Sequence, residues 1–122
     1  MPNYWIVGAM WGGYDDQSDK FIRRGYWFLG WSDAEQPAQA RRRDEIRPGD
    51  RIAIKRMLGK GSRSIEIRAL GVVREIDDED KRVYIDWLVR DVNRKVAGRG
   101  CFQSIHGPFV ESDTWTKEVF RI

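Results

Sequence analysis

The stretch Arg51–Ile76, "RIAIKRMLGKGSRSIEIRALGVVREI", holds two runs of alternating side chains around one glycine-rich loop. In "RIAIKRM" (51–57), Ile52 and Ile54 alternate with Arg51, Ala53 and Lys55. A period of two marks a half-buried β-strand. In "SIEIRALGVVREI" (64–76), Ile65, Ile67 and Ala69 alternate with Glu66 and Arg68. Gly71 interrupts that run and reads as a bulge where the strand bends. The loop between them, "LGKGSR" (58–63), is flexible and basic. A third run follows the acidic turn "DDEDK" (77–81). In "RVYIDWLVRDV" (82–92), Val83, Ile85, Trp87 and Val89 share one face. Strands spaced like a meander form a small sheet, and such a sheet tends to close because closure removes exposed edges.

Outward from this core, "RPGD" (47–50) has proline second and glycine third, the type II turn pattern. "NYWIV" (3–7) reads as a first strand, ended by Gly8. "SDKFIRRG" (18–25) reads as a short helix with Ser18 as cap, Arg23 and Arg24 in the last turn and Gly25 as its stop. "YWFLGW" (26–31) reads as a strand apolar on both faces, with Tyr26, Phe28 and Gly30 opposite Trp27, Leu29 and Trp31. A short helix is expected after Pro37, mostly loop over 93–109, and a last strand in "TWTKEVFRI" (114–122). The expected fold is α+β, a small mixed β-barrel of about six strands with one to three short helices packed outside. Residues 1–122 are expected to form a single domain.

Composition limits the function classes. No apolar run approaches the roughly 20 residues of a membrane span, and "MPNYWIVGAM" lacks the pattern of a signal peptide. The one cysteine, Cys101, cannot pair within the chain, so a cytoplasmic setting is expected. Net charge is +3, unevenly spread. Residues 41–63 carry nine basic side chains against three acidic ones, whereas 75–86 carry six acidic against two basic. A molecule with one basic and one acidic side suits a polyanion on its basic side. Six tryptophans in 122 residues exceed what the core requires. Aromatic rings interleaved with basic residues are the equipment of base-stacking proteins.

The segments "YWIVGAMWGG", "GYWFLG", "IRPGDRIAIKRM", "ALGVV" and "IHGPF…WTKEVFRI", in this order, together resemble the EVE domain. The resemblance covers nearly the whole chain. It implies a PUA-like barrel, which occurs alone and as the N-terminal specificity module of McrB-like restriction ATPases. EVE domains are similar in fold to YTH domains, readers of N6-methyladenine in RNA through an aromatic cage. "GYWFLG" and "VYIDWLVRDV" also look like YTH segments. The resemblance therefore implies a reader of a modified, flipped-out base, not an enzyme, with no cofactor. DNA is favoured over RNA as partner, and a PUA-like RNA-binding module is the alternative. The chain has no GxxxxGK[ST] phosphate loop, so an ATPase or nuclease partner component would lie outside it.

On this reading Trp27 matches the pocket tryptophan of the related readers and is the first cage wall. Trp11 lies in a Gly-flanked loop, where Gly12 and Gly13 would let a base approach the backbone. Trp31, on the face of Trp27, is the third. The slot is thus expected to hold Trp27 and Trp31, closed by Trp11, while Tyr26 and Phe28 fill the packing layer. Trp87 is read as core, and Trp5 and Trp115 as structural. Polar groups for the base edge are sought in the backbone of 8–13, Asp15, Asp16, Ser18, Ser104 and His106. Lys55, Arg56, Lys60 and Arg63 are the phosphate-binding candidates, with Arg41, Arg42 and Arg43 as a second basic group.

Other chemistries fit less well. Asp50, Glu66 and Arg68 only superficially resemble the PD…(D/E)xK nuclease pattern, because the last position is not lysine. One histidine and one cysteine cannot supply a tetrahedral zinc set, and no metal is expected. A Cys101–His106 nucleophile pair lacks a third, orienting residue.

Overall fold

The computed structural model describes residues 2–12, 14–59 and 61–121. Along them run β1 (Tyr4–Gly8), β2 (Met10–Trp11), β3 (Asp15–Asp16), α1 (Ser18–Arg24), β4 (Tyr26–Trp27) and α2 (Pro37–Asp44). Then follow β5 (Arg51–Met57), β6 (Ser64–Asp77), β7 (Arg82–Val89), β8 (Arg94–Ala97), β9 (Ile105–Phe109) and α3 (Thr114–Phe120). The protein is a small α+β fold with a mixed sheet and three short helices. Among the described residues, no helix is long and apolar enough to cross a membrane.

The meander β5–β6–β7 forms as the alternation predicts, with β5 spanning 51–57 and β6 reaching 64–77. The Arg47–Asp50 turn that leads into β5 is closed by Asp50 N–H donating to the Arg47 carbonyl at 3.0 Å. The sheet order is β4-β7-β6-β5-β1-β9, and β8 also pairs β6. β1 lies parallel to β5, and the other pairs are antiparallel. β6 bends at Gly71, where the register with β7 shifts. Residues 70–77 pair β7, and residues 64–67 pair β8, which takes the edge that β7 leaves. A Cβ on Gly71 would stand 2.5 Å from Ile85 Cγ2 and 2.8 Å from the Asp86 carbonyl oxygen.

Closure differs from expectation. Among the described residues no pairing joins edge strand β4 to edge strand β9, so the sheet shows no closed barrel. The sheet is instead covered on both faces. Trp5, Val7, Ile52, Ile54, Val73, Ile85 and Trp87 meet Phe21 of α1 and Ala40 of α2 on one face. Ile6, Ala53, Ile65, Ile67 and Val96 meet Val119 of α3 on the other. The central strands are therefore buried on both sides. Ile52, Ala53, Ile54 and Lys55 are all buried, and β5 is not the half-buried strand its alternation predicts.

Three further segments depart from expectation. The strand expected over 26–31 stops at Trp27. Beyond it Gly30 packs so tightly on Trp11 that a Cβ would come within 2.5 Å of the indole Nε1. Ser32 and Glu35 then lock a turn, with Ser32 N–H donating to Glu35 Oε1 (2.9 Å) and Glu35 N–H to Ser32 Oγ (3.2 Å). That reciprocal pair is a capping box. Residues 114–120 form helix α3, not a strand. Asp113 Oδ2 accepts from Thr116 N–H (3.1 Å) and Thr116 Oγ1 (2.9 Å), an N-cap that outweighs the β-branched character of the segment. Residues 93–109, expected as mostly loop, supply β8 and β9, whose pairing partners lie far away in sequence. Ser18 is the first helical residue and not the cap; its N–H donates to Asp16 Oδ1 at 2.9 Å.

Candidate functional site

β1 and β5 run parallel, and β1 ends at Gly8 opposite Lys55, two residues before β5 ends at Met57. Beyond these ends β9 begins, and Gly8 N–H donates to the Ser104 carbonyl at 2.8 Å. The space above is a cleft of about 490 Å³. Gly8 and Lys55 line it from the sheet, Ser104 from just before β9, Gln39 from α2, and Trp31 and Phe102 from loops. Trp31 and Phe102 are each 43% exposed, large for aromatic rings in a folded chain. Met10 and Met57, also exposed, line the same cleft. Apolar side chains left open to water around one concavity mark a binding surface.

The walls are braced from behind. Trp27 is fully buried, and its indole N–H donates to the Gly8 carbonyl at 2.9 Å. Gln39 is buried too; its Oε1 accepts from Ile105 N–H (2.8 Å) and its Nε2 donates to Gln103 Oε1 (3.0 Å). These bonds fix residues 103–105 against α2. Arg43 holds the loop that carries Trp31. Its guanidinium grips Asp33 through both carboxylate oxygens (2.9 and 3.1 Å), and its Nε donates to Asp44 Oδ1 (3.0 Å).

The charge at the floor is unusual. Lys55 is 4% exposed, and among the described residues its Nζ has one weak partner, Met57 Sδ at 3.6 Å. Its stem folds over Gly8, where a Cβ would lie 3.4 Å from Nζ. Among the described residues no carboxylate pairs with it, and burial pulls its pKa down to about 8. Burial also pushes the neighbouring Cys101 thiol up to about 11. His106 is half-buried, and its Nε2 accepts from Gln103 N–H at 2.9 Å. Burial first, then the charges of Lys55 and Arg42, hold its pKa down to about 4.

The cleft brings together only part of the expected site. Trp31, Gly12, Ser104, Lys55 and Arg56 line it, as do Asp16 and Ser18. Trp27 does not: it is packed shut beneath the floor and shares no cavity with Trp31. Trp11 closes no slot. It stacks edge-on against Phe21 (6.0 Å) and Phe28 (5.2 Å), in an aromatic cluster that also holds Tyr26. His106 lies beside the cleft without lining it, with its Nε2 already engaged. Arg43 is buried in its ion pairs and does not face a phosphate, whereas Arg42, next to it, is exposed. Arg63 is exposed, and its carbonyl accepts from Gly98 N–H. Lys60 and Gly13 lie outside the described residues.

Trp87 is core as expected, with its indole N–H donating to the Phe21 carbonyl at 3.2 Å. Trp5 is fully buried on Asp50 Oδ2 (2.9 Å), and Trp115 donates to the Ala97 carbonyl (2.8 Å). Asp50 also accepts from Asn3 N–H and Arg47 N–H, so its carboxylate is a structural hub. It stands at the start of β5, while Glu66 pairs Arg56 near the other end. Six strand residues separate them, about 20 Å, too far to share a metal ion. Among the described residues no three His, Cys, Asp or Glu side chains gather as metal ligands.

Sequence reasoning missed Phe102 and Gln39. The signal for Phe102 was a large ring in a glycine-bounded loop with no strand to join. For Gln39 it was helical spacing, since Gln39, Ala40 and Arg43 share the buried face of α2. No family model, curated protein or solved structure matches this chain.

Proposed function

We propose that this chain is a nucleic-acid-binding reader that takes one extruded, modified base into the cleft between Trp31, Phe102 and Gly8. The observation that carries the reading is the cleft itself: two half-exposed aromatic rings around a concavity with a buried cation at its floor. Its volume falls in the range of small-ligand sites, roughly 300–1,000 Å³. The resemblance to EVE domains supports the same reading. On it, the open, bent sheet is a variant of the PUA-like barrel, and the chain is a binding module without catalytic chemistry of its own. It would act in the cytoplasm as the specificity part of a modification-dependent restriction system, with any ATPase or nuclease outside this chain.

The energetics are workable. Extruding a base costs a few kcal/mol. Stacking on aromatic rings returns about 1–3 kcal/mol per base. A methyl group filling apolar space adds ~0.8 kcal/mol, which sets the scale of discrimination available without a polar contact. Relative to the expected cage, the stacking rings are Trp31 and Phe102, and Trp27 supports the floor from below.

Short DNA and RNA oligonucleotides, each with one modified or unmodified base, test this by fluorescence anisotropy. Trp31→Ala and Phe102→Ala should each weaken binding about thirtyfold, the middle of the stacking range. Leu88→Ala, exposed on β7 away from the cleft, should leave affinity unchanged. If no oligonucleotide binds, or if both cleft variants bind like wild type, the reading fails.

A further inference from the structure

We propose that Lys55 reads a carbonyl oxygen on the captured base, so that the cleft accepts oxo-bearing bases of the cytosine, guanine or uracil type and disfavours adenine-type bases. This rests on the reader function above and names the class of base it takes. A lysine ammonium has three donors and no acceptor. At Lys55 one donor meets a thioether, a weak acceptor, at 3.6 Å. A charge removed from water with so little compensation is costly to the folded protein. A ligand acceptor brought into the cleft would supply what the fold withholds.

The surroundings narrow that ligand. Asp16 also lines the cleft, but its carboxylate is engaged by Arg68 at 3.8 Å. Both ends of the Gln39 amide are committed. The Lys55 ammonium is thus the strongest uncommitted polar group at the floor. It matches a carbonyl oxygen, as lysine matches guanine O6 in a groove. Adenine has no carbonyl; its N1 and N7 both flank the 6-amino group, whose hydrogens would face the cation, and its N3 lies on the sugar edge, away from the Watson–Crick edge by which a flipped base is read. A backbone phosphate is the wrong partner, because it is tethered on both sides and Lys55 is 96% buried. Phosphates fall instead to exposed Arg56 and Arg42. This reassigns Lys55 from the phosphate group to the base pocket.

The groups facing Lys55 keep a pH experiment interpretable. Arg42 and Arg56 are the cations nearby, burial holds His106 down to about 4, and burial pushes Cys101 up to about 11. Between pH 6.5 and 9 Lys55 changes state, near 8 when the cleft is free, while His106 and Cys101 lie outside that window.

The test uses oligonucleotides of the backbone that binds tighter, identical except for one central base: cytosine, guanine, adenine or their methylated forms. Wild type should prefer the oxo-bearing bases about tenfold, and Lys55→Met should level the series to within about twofold by loss on the oxo side. Wild-type affinity for an oxo base should fall as pH rises from 7 to 9, and the Lys55→Met profile should be flat. The free Lys55→Met protein should melt higher than wild type, which a lysine serving the fold would not allow. Equal weakening of every oligonucleotide would mean a phosphate contact and overturn the inference. So would an adenine preference. If Lys55→Met changes nothing while Trp31→Ala still costs affinity, the lysine inference fails and the reader stands. If no oligonucleotide binds, both fail.

Discussion

His106 spends its Nε2 lone pair on the Gln103 N–H at 2.9 Å, beside a loop that lines the cleft. That bond exists only for the neutral ring. Burial and the nearby cations hold the pKa to about 4. Above pH 6.5 neither folded nor unfolded chain carries this proton. As pH falls below 6.5 the unfolded chain takes it up and the folded chain refuses it until about 4. Stability should therefore drop by about 1–2 kcal/mol between pH 6.5 and 5. Asp33, Glu35 and Asp113, held low by their hydrogen bonds, titrate below that window. Denaturant titrations of wild type and His106→Gln at pH 7, 6 and 5 check this; the variant should lose the slope. An unchanged slope in the variant would assign it elsewhere. At this scale the sequence supplied residue types but not their surroundings. Trp27 and Trp31 stand four positions apart, yet one is sealed and the other 43% open. Lys55 sits at what looks like a solvent-facing position of an alternating strand. It is buried because the opposite face is also covered, and because the β5–β6 register shifts between Ile54 and Lys55.

β6 decides the architecture among the elements, and Gly71 decides β6. The bend there lets one strand pair β7 along one half and β8 along the other. An added Cβ would meet the Asp86 carbonyl at 2.8 Å and the Trp87 ring at 2.9 Å, and backbone at such distances must shift. Gly71→Ala should cost about 2–3 kcal/mol, at the upper end of overpacking by one methyl group. Urea denaturation measures it, and a cost below about 0.5 kcal/mol, the usual span of surface changes, would show that the bend is not packed as described. Strands with alternation and local turns are legible in sequence: β5 matches its alternating run to the residue and β6 within one. Elements defined by distant or side-chain partners were not. β8 and β9 exist because β6 and β1 offer them edges, and α3 exists because one carboxylate caps its first turn.

Across the whole molecule the charge runs along β6. The basic loop 58–63 precedes its first residue, and the acidic turn 77–81 follows its last. The cleft lies toward the basic end, since Lys55 and Arg56 pair Ile67 and Glu66. On the proposed function, a nucleic-acid strand would be drawn to the end that holds the pocket. The run Arg41–Arg43 reads in sequence as one basic group, but the fold divides it. Arg42 is exposed and free to meet a phosphate; Arg43 is buried and neutralised by Asp33 and Asp44. Salt dependence separates the two roles. Each phosphate contact releases counterions and contributes a slope of about −0.7 to −0.9 in log K against log salt. Arg42→Ala and Arg56→Ala should each flatten the slope by nearly one contact with little change in stability. Arg43→Ala should leave the slope unchanged. It should lower stability by about 1–3 kcal/mol, because the bidentate grip that holds the Trp31 loop to α2 is lost. The expected pattern is therefore an exchange between neighbours, with one arginine moving salt dependence and the next moving the melting point. If Arg43→Ala flattens the slope as much as Arg42→Ala, the division of the run is wrong and the whole helix faces the polyanion.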